Sequence, residues 1–201
     1  MVAGRSIRTL GKKSVWVVAG ALFLSGVPSA AMATAGPAQF SPVAASAASS
    51  QQAWPVLRQG SNSIWPHATV RSLQYLLRAR GASIPVDGTF GPRTKAAVVA
   101  FQTKQHLVAD GVVGSQTWKA LSVTVRQGSR GEAVRAVQDQ INFRDLRNGR
   151  ALATDGIFGP KTRRAVMGFQ GVLALDTKSF AVDGIVGPQT WPPLVNEAYS
   201  G

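Results

Sequence analysis

Four aspartates in this 201-residue chain begin nearly the same eight-residue sequence, Asp-Gly-x-[Phe/Val]-Gly-[Pro/Ser]-x-Thr. They are Asp87, Asp110, Asp155 and Asp183. Repeated carboxylates could bind calcium, but a calcium loop needs several oxygen ligands and each of these loops offers one carboxylate. Asp-Gly is typical of a tight turn whose carboxylate accepts backbone N–H groups, and proline fits the first position of a helix. The pattern therefore favours a turn that introduces a helix over a ligand-binding or catalytic role.

Other groups that could carry out catalysis are scarce. Cysteine is absent, which excludes thiol catalysis and disulfide bonds. His67 and His106 have no neighbouring cluster of ligands, whereas a hydrolytic zinc site needs three protein ligands. Glycoside hydrolysis needs two carboxylates that face one cleft. Besides the turn aspartates and Glu132, the chain offers one carboxylate on a helix, two in loops and one in the tail: Asp139, Asp145, Asp176 and Glu197. The sequence therefore predicts no catalytic residue, no metal site and no cofactor.

Most of the chain after residue 56 consists of one unit that occurs twice in the same order. The first copy reads LRQGSNS, VRSLQYLL and DGVVGSQTWKAL, starting at Leu57, Val70 and Asp110; the second reads VRQGSRG, VRAVQDQI and DGIVGPQTWPPL, starting at Val125, Val134 and Asp183. We call residues 54–122 repeat one and residues 123–196 repeat two, and predict a small domain for each.

The first helix of each repeat has an apolar stripe and recognisable ends. In repeat one, Thr69 is predicted to cap the helix and Gly81 to end it. In repeat two, Ser129 and Glu132 in the sequence SRGE have the spacing of a capping box.

The second and third helices follow the Asp-Gly turns. The second helices are predicted to begin at Pro92 and Pro160. The third helices are short and carry Trp118 and Trp191, each of which is expected to fill the core of a small domain. The predicted fold class is therefore all-α, with two tandem three-helix domains.

The first 53 residues differ in composition from the repeats. Residues 1–33 are predicted to be a signal peptide, with basic residues, a 13-residue apolar run and small residues at Ala31 and Ala33. The run is shorter than the roughly 20 residues that cross a membrane, so no span is expected in the mature protein. Residues 34–53 are rich in Ala, Ser and Pro and are predicted to be a flexible linker. The expected location of the mature protein is therefore secreted, extracellular.

The combination VxxLQ…DGxFGxxTxxAVxxFQ…DGxVGxxTWxxL closely resembles the three-helix peptidoglycan-binding module found beside bacterial cell-wall hydrolases. The resemblance covers both repeats, from about Leu57 to Val195. It implies non-covalent binding to peptidoglycan, through its glycan or its stem peptide, and hence a protein associated with the cell wall, while a separate domain usually does the cutting. No separate catalytic domain is predicted from this sequence.

Each of the first two helices of a repeat carries a glutamine at the edge of its apolar stripe. The amide could bind the backbone of the Asp-Gly loops, which we favour, or line a groove for the ligand. The residues predicted to bind ligand under the second interpretation are Gln74, Gln102, Asp87, Thr94, Gln138, Gln170, Asp155 and Thr162.

Aromatic and basic side chains offer further candidates. Trp54, Trp65 and Tyr75 could stack on sugars, although packing over the first core is favoured. The basic residues Arg71, Arg93, Lys95, Lys161, Arg163 and Arg164 are predicted to form a solvated face that also attracts phosphates or carboxylates.

Three functions remain open. The first is a secreted, non-catalytic peptidoglycan-binding protein whose two modules give avidity and which targets or recruits a wall hydrolase. The second is a binder of polyanions such as teichoic acid, consistent with the formal charge of +13, which becomes +9 once the predicted signal peptide with its four basic residues is removed. The third is an unrecognised cell-wall hydrolase. Nucleic acid is not an expected partner, because the protein is exported and its aromatic residues occupy core positions.

Overall fold

The computed structural model describes residues 54–61, 68–144, 151–176 and 180–196. These residues form six helices and no strand. The helices are α1 (Ala68–Ala79), α2 (Pro92–Lys104), α3 (Ser115–Leu121), α4 (Glu132–Arg144), α5 (Pro160–Asp176) and α6 (Trp191–Val195). The prediction of an all-α protein with three helices in each repeat is confirmed. The predicted signal peptide and linker lie outside the described residues, as do Trp65, His67, Asp145 and Glu197.

Several predicted helix ends are confirmed. α2 and α5 begin at Pro92 and Pro160, because a proline at the first helical position lacks only an N–H that would have no partner there. α1 ends two residues before Gly81, which adopts a φ of 94°. Side chains with a Cβ disfavour this left-handed region, so glycine ends the helix at low cost.

Two predicted caps are wrong. Thr69 is already the second residue of α1, and its hydroxyl donates to the carbonyl oxygen of Val195 at 2.8 Å. Glu132 is the first residue of α4, too early for a capping box with Ser129. The hydroxyl oxygen of Ser129 instead accepts the backbone N–H of Arg126 at 3.1 Å, which closes the turn of the sequence RQGS. In both cases a contact outside the helix engages the hydroxyl.

A tryptophan fills the core of each repeat. Trp118 and Trp191 are almost completely buried. The indole N–H of Trp118 donates to the carbonyl oxygen of Pro55 at 2.7 Å, and that of Trp191 donates to Val123 at 2.8 Å. Each repeat therefore fastens its own N-terminal segment to its third helix with the same bond.

Helices α1 and α4 join the two repeats. Arg71 Nε lies 2.9 Å from Asp139 Oδ2, and Arg78 Nη2 lies 3.2 Å from Glu132 Oε1. The partner's number falls along α4 as the number rises along α1, so the helices are antiparallel. Core residues of both repeats, including Leu73 and Val137, belong to one continuous hydrophobic cluster. The repeats therefore pack directly against each other through the same helix of each.

Candidate functional site

A glutamine on the preceding helix holds each Asp-Gly loop. Gln74 Nε2 donates to Asp87 Oδ1 at 2.7 Å, to the carbonyl oxygen of Thr89 at 3.1 Å and to Thr94 Oγ1 at 3.2 Å. Gln74 Oε1 accepts the backbone N–H of Gly88 at 2.9 Å. The amide is completely buried, and a buried amide needs such partners to offset its loss of water. We call this arrangement the glutamine lock.

The glutamine lock occurs four times. Gln102, Gln138 and Gln170 make the same set of bonds to the loops that begin at Asp110, Asp155 and Asp183; the Nε2–Oδ1 distances are 3.1, 2.8 and 3.0 Å, and the distances from the loop glycine N to the glutamine Oε1 are 2.9, 2.9 and 2.8 Å. The repeated eight-residue sequence therefore has one structural use in the fold.

The loop glycines must adopt a left-handed backbone. Gly88, Gly111, Gly156 and Gly184 have φ angles between 73° and 76°. A Cβ on Gly184 would also lie 2.7 Å from Arg163 Cγ. Glycine is required at this position by both conformation and space.

Hydrogen bonds stabilise the charged form of three of the loop carboxylates. The amide of Gln74 and then the N–H of Thr89 lower the pKa of Asp87, and Gln138 and Ile157 do the same for the pKa of Asp155. For Asp110, the N–H of Val112 is the largest cause of the lowered pKa, followed by burial in the opposite direction and then Gln102. These carboxylates remain charged at neutral pH, which suits a hydrogen-bond acceptor and not a general acid.

Six of the eight residues predicted to bind ligand form two triplets inside glutamine locks, and the other two, Gln102 and Gln170, each belong to a separate lock. Their glutamine and threonine side chains are buried, with exposures of 0 to 3%. Asp110, Thr117, Asp183 and Thr190 make equivalent bonds, and the ligand prediction omitted them although the sequence pattern includes them. The hydrogen bonds predicted for the glutamines are present. Ligand binding by these residues stays a prediction.

The aromatic candidates contact the protein core. The Trp54 ring stacks on Trp118, with ring centres 5.8 Å apart and planes inclined by 12°. Tyr75 is partly buried against the hydrophobic cluster. Burial raises the pKa of the Tyr75 phenol, and the nearby Asp139 raises it further. Both residues therefore contribute to packing.

The predicted basic face is partly wrong. Arg71 is paired with Asp139 between the repeats, because a carboxylate that is distant in sequence lies opposite it on α4. Arg93, Lys95, Lys161 and Arg164 are exposed, as predicted, while Arg163 is half-buried.

Two arginines that sequence reasoning missed hold the third helices. Arg80 Nη2 donates to the carbonyl oxygens of Ala120 at 2.7 Å and Leu121 at 3.1 Å. Arg144 occupies the equivalent place in repeat two and donates to Pro193 and Leu194, both at 2.9 Å. A cation near the end of a helix also interacts favourably with the helix dipole. The sequence signal was an arginine at the same place in both repeats, ten residues after Val70 and after Val134.

Repeat one also has an open groove of about 510 Å³ between the end of α1 and the exposed side of α2. We call it the repeat-one groove. Its lining residues are Leu77, Arg80, Gly81, Ala82, Ser83, Ile84, Arg93, Ala96, Ala97, Ala100, Phe101 and Lys104. A volume in this range is typical of sites that bind small molecules or short peptide segments.

The described acidic side chains are all bound within the fold. Four belong to the glutamine locks, and Glu132 and Asp139 form ion pairs with arginines. The described residues contain no group of three or more His, Cys, Asp or Glu side chains that could hold a metal ion. His106 is exposed and has a φ of 55° just after α2. Among the described helices, none combines the length and apolar character needed to cross a membrane.

The fold and the repeated loops define a tandem three-helix module, and comparison with known proteins gives the family. Residues 66–121 and 130–192 each match the peptidoglycan binding domain. The chain belongs to this family, and the predicted resemblance is confirmed for both repeats.

Several curated relatives with similar regions are named as enzymes. A probable N-acetylmuramoyl-L-alanine amidase of Bacillus licheniformis is 31% identical over 147 residues, which are 60% of this chain and 40% of the relative. A zinc D-Ala-D-Ala carboxypeptidase of Streptomyces albus G is 44% identical over 119 residues, which are 59% of this chain and 40% of the relative. An N-acetylmuramoyl-L-alanine amidase of Mycobacterium tuberculosis is 33% identical over 113 residues, which are 50% of this chain and 26% of the relative. The matches thus span less than half the length of these relatives. No solved structure shows a significant match.

Proposed function

We propose that the chain is a secreted, non-catalytic protein of the bacterial cell wall that binds peptidoglycan through its two repeats. The match of both repeats to the peptidoglycan binding domain supports peptidoglycan as the ligand. The relatives act on wall components according to their names, and the matches cover under half of their lengths. This is the relation expected when the shared region is a binding module.

One observation carries the non-catalytic part of the proposal. Each of the six acidic side chains that the structure describes is engaged in a glutamine lock or in an ion pair with arginine. A general acid must stay protonated near neutral pH, whereas the hydrogen bonds of the locks lower the pKa values of Asp87, Asp110 and Asp155. The carboxylates thus stabilise the fold, and cutting of the wall is left to a partner hydrolase that the protein targets or recruits.

The tandem arrangement supports firm attachment to a polymer. Two linked sites can raise overall avidity by roughly 10²- to 10⁴-fold if both reach the target at once. Because α1 and α4 pack directly against each other, the separation of the two repeats is fixed and not set by a flexible linker. Both repeats can therefore bind at once only where two ligand sites on the polymer are separated by the same distance as the repeats.

The excess of Lys and Arg, 22 against 9 acidic residues, favours one alternative, a binder of teichoic acid. Salt separates the two functions, because binding to phosphate polymers weakens steeply as salt rises. The test is co-sedimentation of the purified chain with cell walls before and after removal of teichoic acid, at low and high salt. We expect pelleting to persist on stripped walls in high salt. Loss of pelleting on stripped walls would overturn the proposal in favour of the polyanion.

A further inference from the structure

The repeat-one groove combines an apolar floor with small side chains. Leu77, Ile84 and Phe101 line it together with the alanines at positions 96, 97 and 100 of α2. Alanines on the exposed side of a helix leave room for a ligand to approach the backbone closely. At Gly81, no atom lies within 4 Å of the place where a Cβ would be, so the groove is open at this end. The shape suits a narrow ligand with small apolar groups.

The charges of the groove have one sign. Arg80, Arg93 and Lys104 are among its twelve lining residues, and none of the twelve is acidic. Arg80 uses its Nε and Nη2 to hold the end of α3. Arg93 and Lys104 are exposed and take part in no hydrogen bond or salt bridge within the described part of the chain. The charge of Arg93 also contributes, as the last of several causes, to lowering the pKa of Asp87. These two cations remain available to a carboxylate on a bound ligand.

Repeat two has different residues at the equivalent positions of its second helix. Val172 replaces Lys104, and its side chain is 63% exposed. Arg164 replaces Ala96, so a long side chain stands where repeat one has a methyl group. The cation at one end is thus lost, and the small-residue floor is interrupted.

The phenylalanine that corresponds to Phe101 of the groove has a charged neighbour within repeat two. The guanidinium carbon of Arg144 lies 5.0 Å from the centre of the Phe169 ring, which corresponds to Phe101. A cation over the face of an aromatic ring is attracted to it, so this ring face already has a partner within the protein. In sequence, Arg144 is followed by Asp145 where Arg80 is followed by Gly81, which adds a negative charge to this segment.

We propose that the repeat-one groove binds a short peptide with a free carboxylate and small apolar side chains, and that repeat two does not. This inference rests on the proposed function, because peptidoglycan contains stem peptides of this chemistry. The glycan backbone between the peptides is neutral where its lactyl groups are acylated, and it offers Arg93 and Lys104 no charge to bind. The charges of the groove therefore favour binding of the peptide part of the wall, and not of the glycan, by repeat one.

The test is a titration of the purified chain, labelled with carbon-13 at its alanine methyl groups, with the tripeptide L-Ala-γ-D-Glu-L-Lys. We expect the methyl signals of Ala96, Ala97 and Ala100 to shift and the signal of Ala165, the counterpart of Ala97, to stay unchanged. Triacetylchitotriose, a neutral sugar probe, is expected to leave all four signals in place. Shifts of Ala165 equal to those of Ala97 would overturn the restriction to repeat one.

Variants taken from the repeats themselves test the charges. Lys104→Val introduces the residue of repeat two, and Arg93→Ala removes the second cation. Each variant is expected to weaken binding of the tripeptide by up to about fivefold, the range for a partly exposed ion pair. Lys161→Ala removes the counterpart of Arg93 in repeat two and is the control, because it lowers the net charge by the same amount. Its affinity for the tripeptide is expected to stay within about twofold of that of the original chain. Equal weakening by all three variants would show general charge attraction and overturn the proposal.

The outcome also separates this inference from the proposed function. If the chain pellets with stripped walls in high salt but gives no shifts with the tripeptide, the peptide groove is refuted and wall binding stands. If the chain binds the tripeptide as predicted but does not pellet with walls, the groove is supported and the proposed wall-binding function is refuted.

Discussion

Gln140 Nε2 donates a 2.9 Å hydrogen bond to Ser72 Oγ across the interface of α1 and α4, and both side chains are completely buried. Gln140 Oε1 is buried without a hydrogen-bond partner among the described residues. At the counterpart positions the chain has Leu76 and Ala136, which are also completely buried. The interface therefore carries one polar pair where its approximate symmetry has an apolar pair.

Replacing this polar pair with the residues of its counterpart should stabilise the protein. The double variant Ser72→Ala with Gln140→Leu is expected to raise the free energy of unfolding by roughly 1 kcal/mol, because it removes a buried oxygen without a partner. Ser72→Ala alone should lower it by roughly 1 to 2 kcal/mol, since the amide of Gln140 then loses its remaining bond. Urea denaturation measures both. A double variant less stable than the single variant would contradict this explanation.

The glutamine lock predicts a large effect of one side chain. Gln74→Leu keeps a similar volume but leaves the buried N–H of Gly88 without its partner and removes a hydrogen bond from the Asp87 carboxylate, at a cost of roughly 3 kcal/mol. Gln189→Leu is the control, because Gln189 is exposed and surface substitutions usually change stability by less than about 0.5 kcal/mol. Chemical denaturation of both variants gives the comparison. A loss below about 1 kcal/mol for Gln74→Leu would mean that the loop is held by other contacts.

The lowered pKa values of Asp87, Asp110 and Asp155 predict loss of stability in acid. Their ordinary pKa is 3.8, and the folded state holds each below it. The stabilisation is therefore fully present above pH 3.8 and is lost as the pH falls through the lower pKa values of the folded state. The midpoint of urea unfolding should decrease steadily with pH below this value.

The matched variant for this prediction carries Asp87→Asn, Asp110→Asn and Asp155→Asn. An amide oxygen can still accept the two loop hydrogen bonds but does not titrate. We expect its urea midpoint to depend less on pH below 3.8 than that of the original chain. The same pH dependence in both proteins would place the acid sensitivity elsewhere.

The features that sequence analysis identified correctly depend on local patterns. Pro92 and Pro160 start helices because the fixed φ of proline suits the first helical position. The bond between Gln74 and its loop could be anticipated because a glutamine beside an apolar stripe becomes partly buried and needs partners close by. The fourfold repetition of the loop gave the same inference four times.

The features that sequence analysis missed depend on contacts between distant residues. Arg71 was assigned to a solvated face, but Asp139 lies opposite it only because α1 and α4 are antiparallel. Thr69 was assigned as a cap, but it bonds to Val195 at the end of α6. The repeat-one groove likewise depends on the angle between α1 and α2, because Arg93 and Lys104 line it from α2 while Arg80 lines it from the turn after α1. No local pattern records such geometry.

The central claim is that the chain holds peptidoglycan without cutting it, and one incubation tests both parts. Purified peptidoglycan with a fluorescent label is mixed with the chain and centrifuged, and protein in the pellet and label in the supernatant are measured together. We predict that the protein enters the pellet and that the released label stays at the level of the buffer control. Protein that remains in the supernatant would contradict binding, and release of labelled fragments that increases with time would contradict the absence of catalysis.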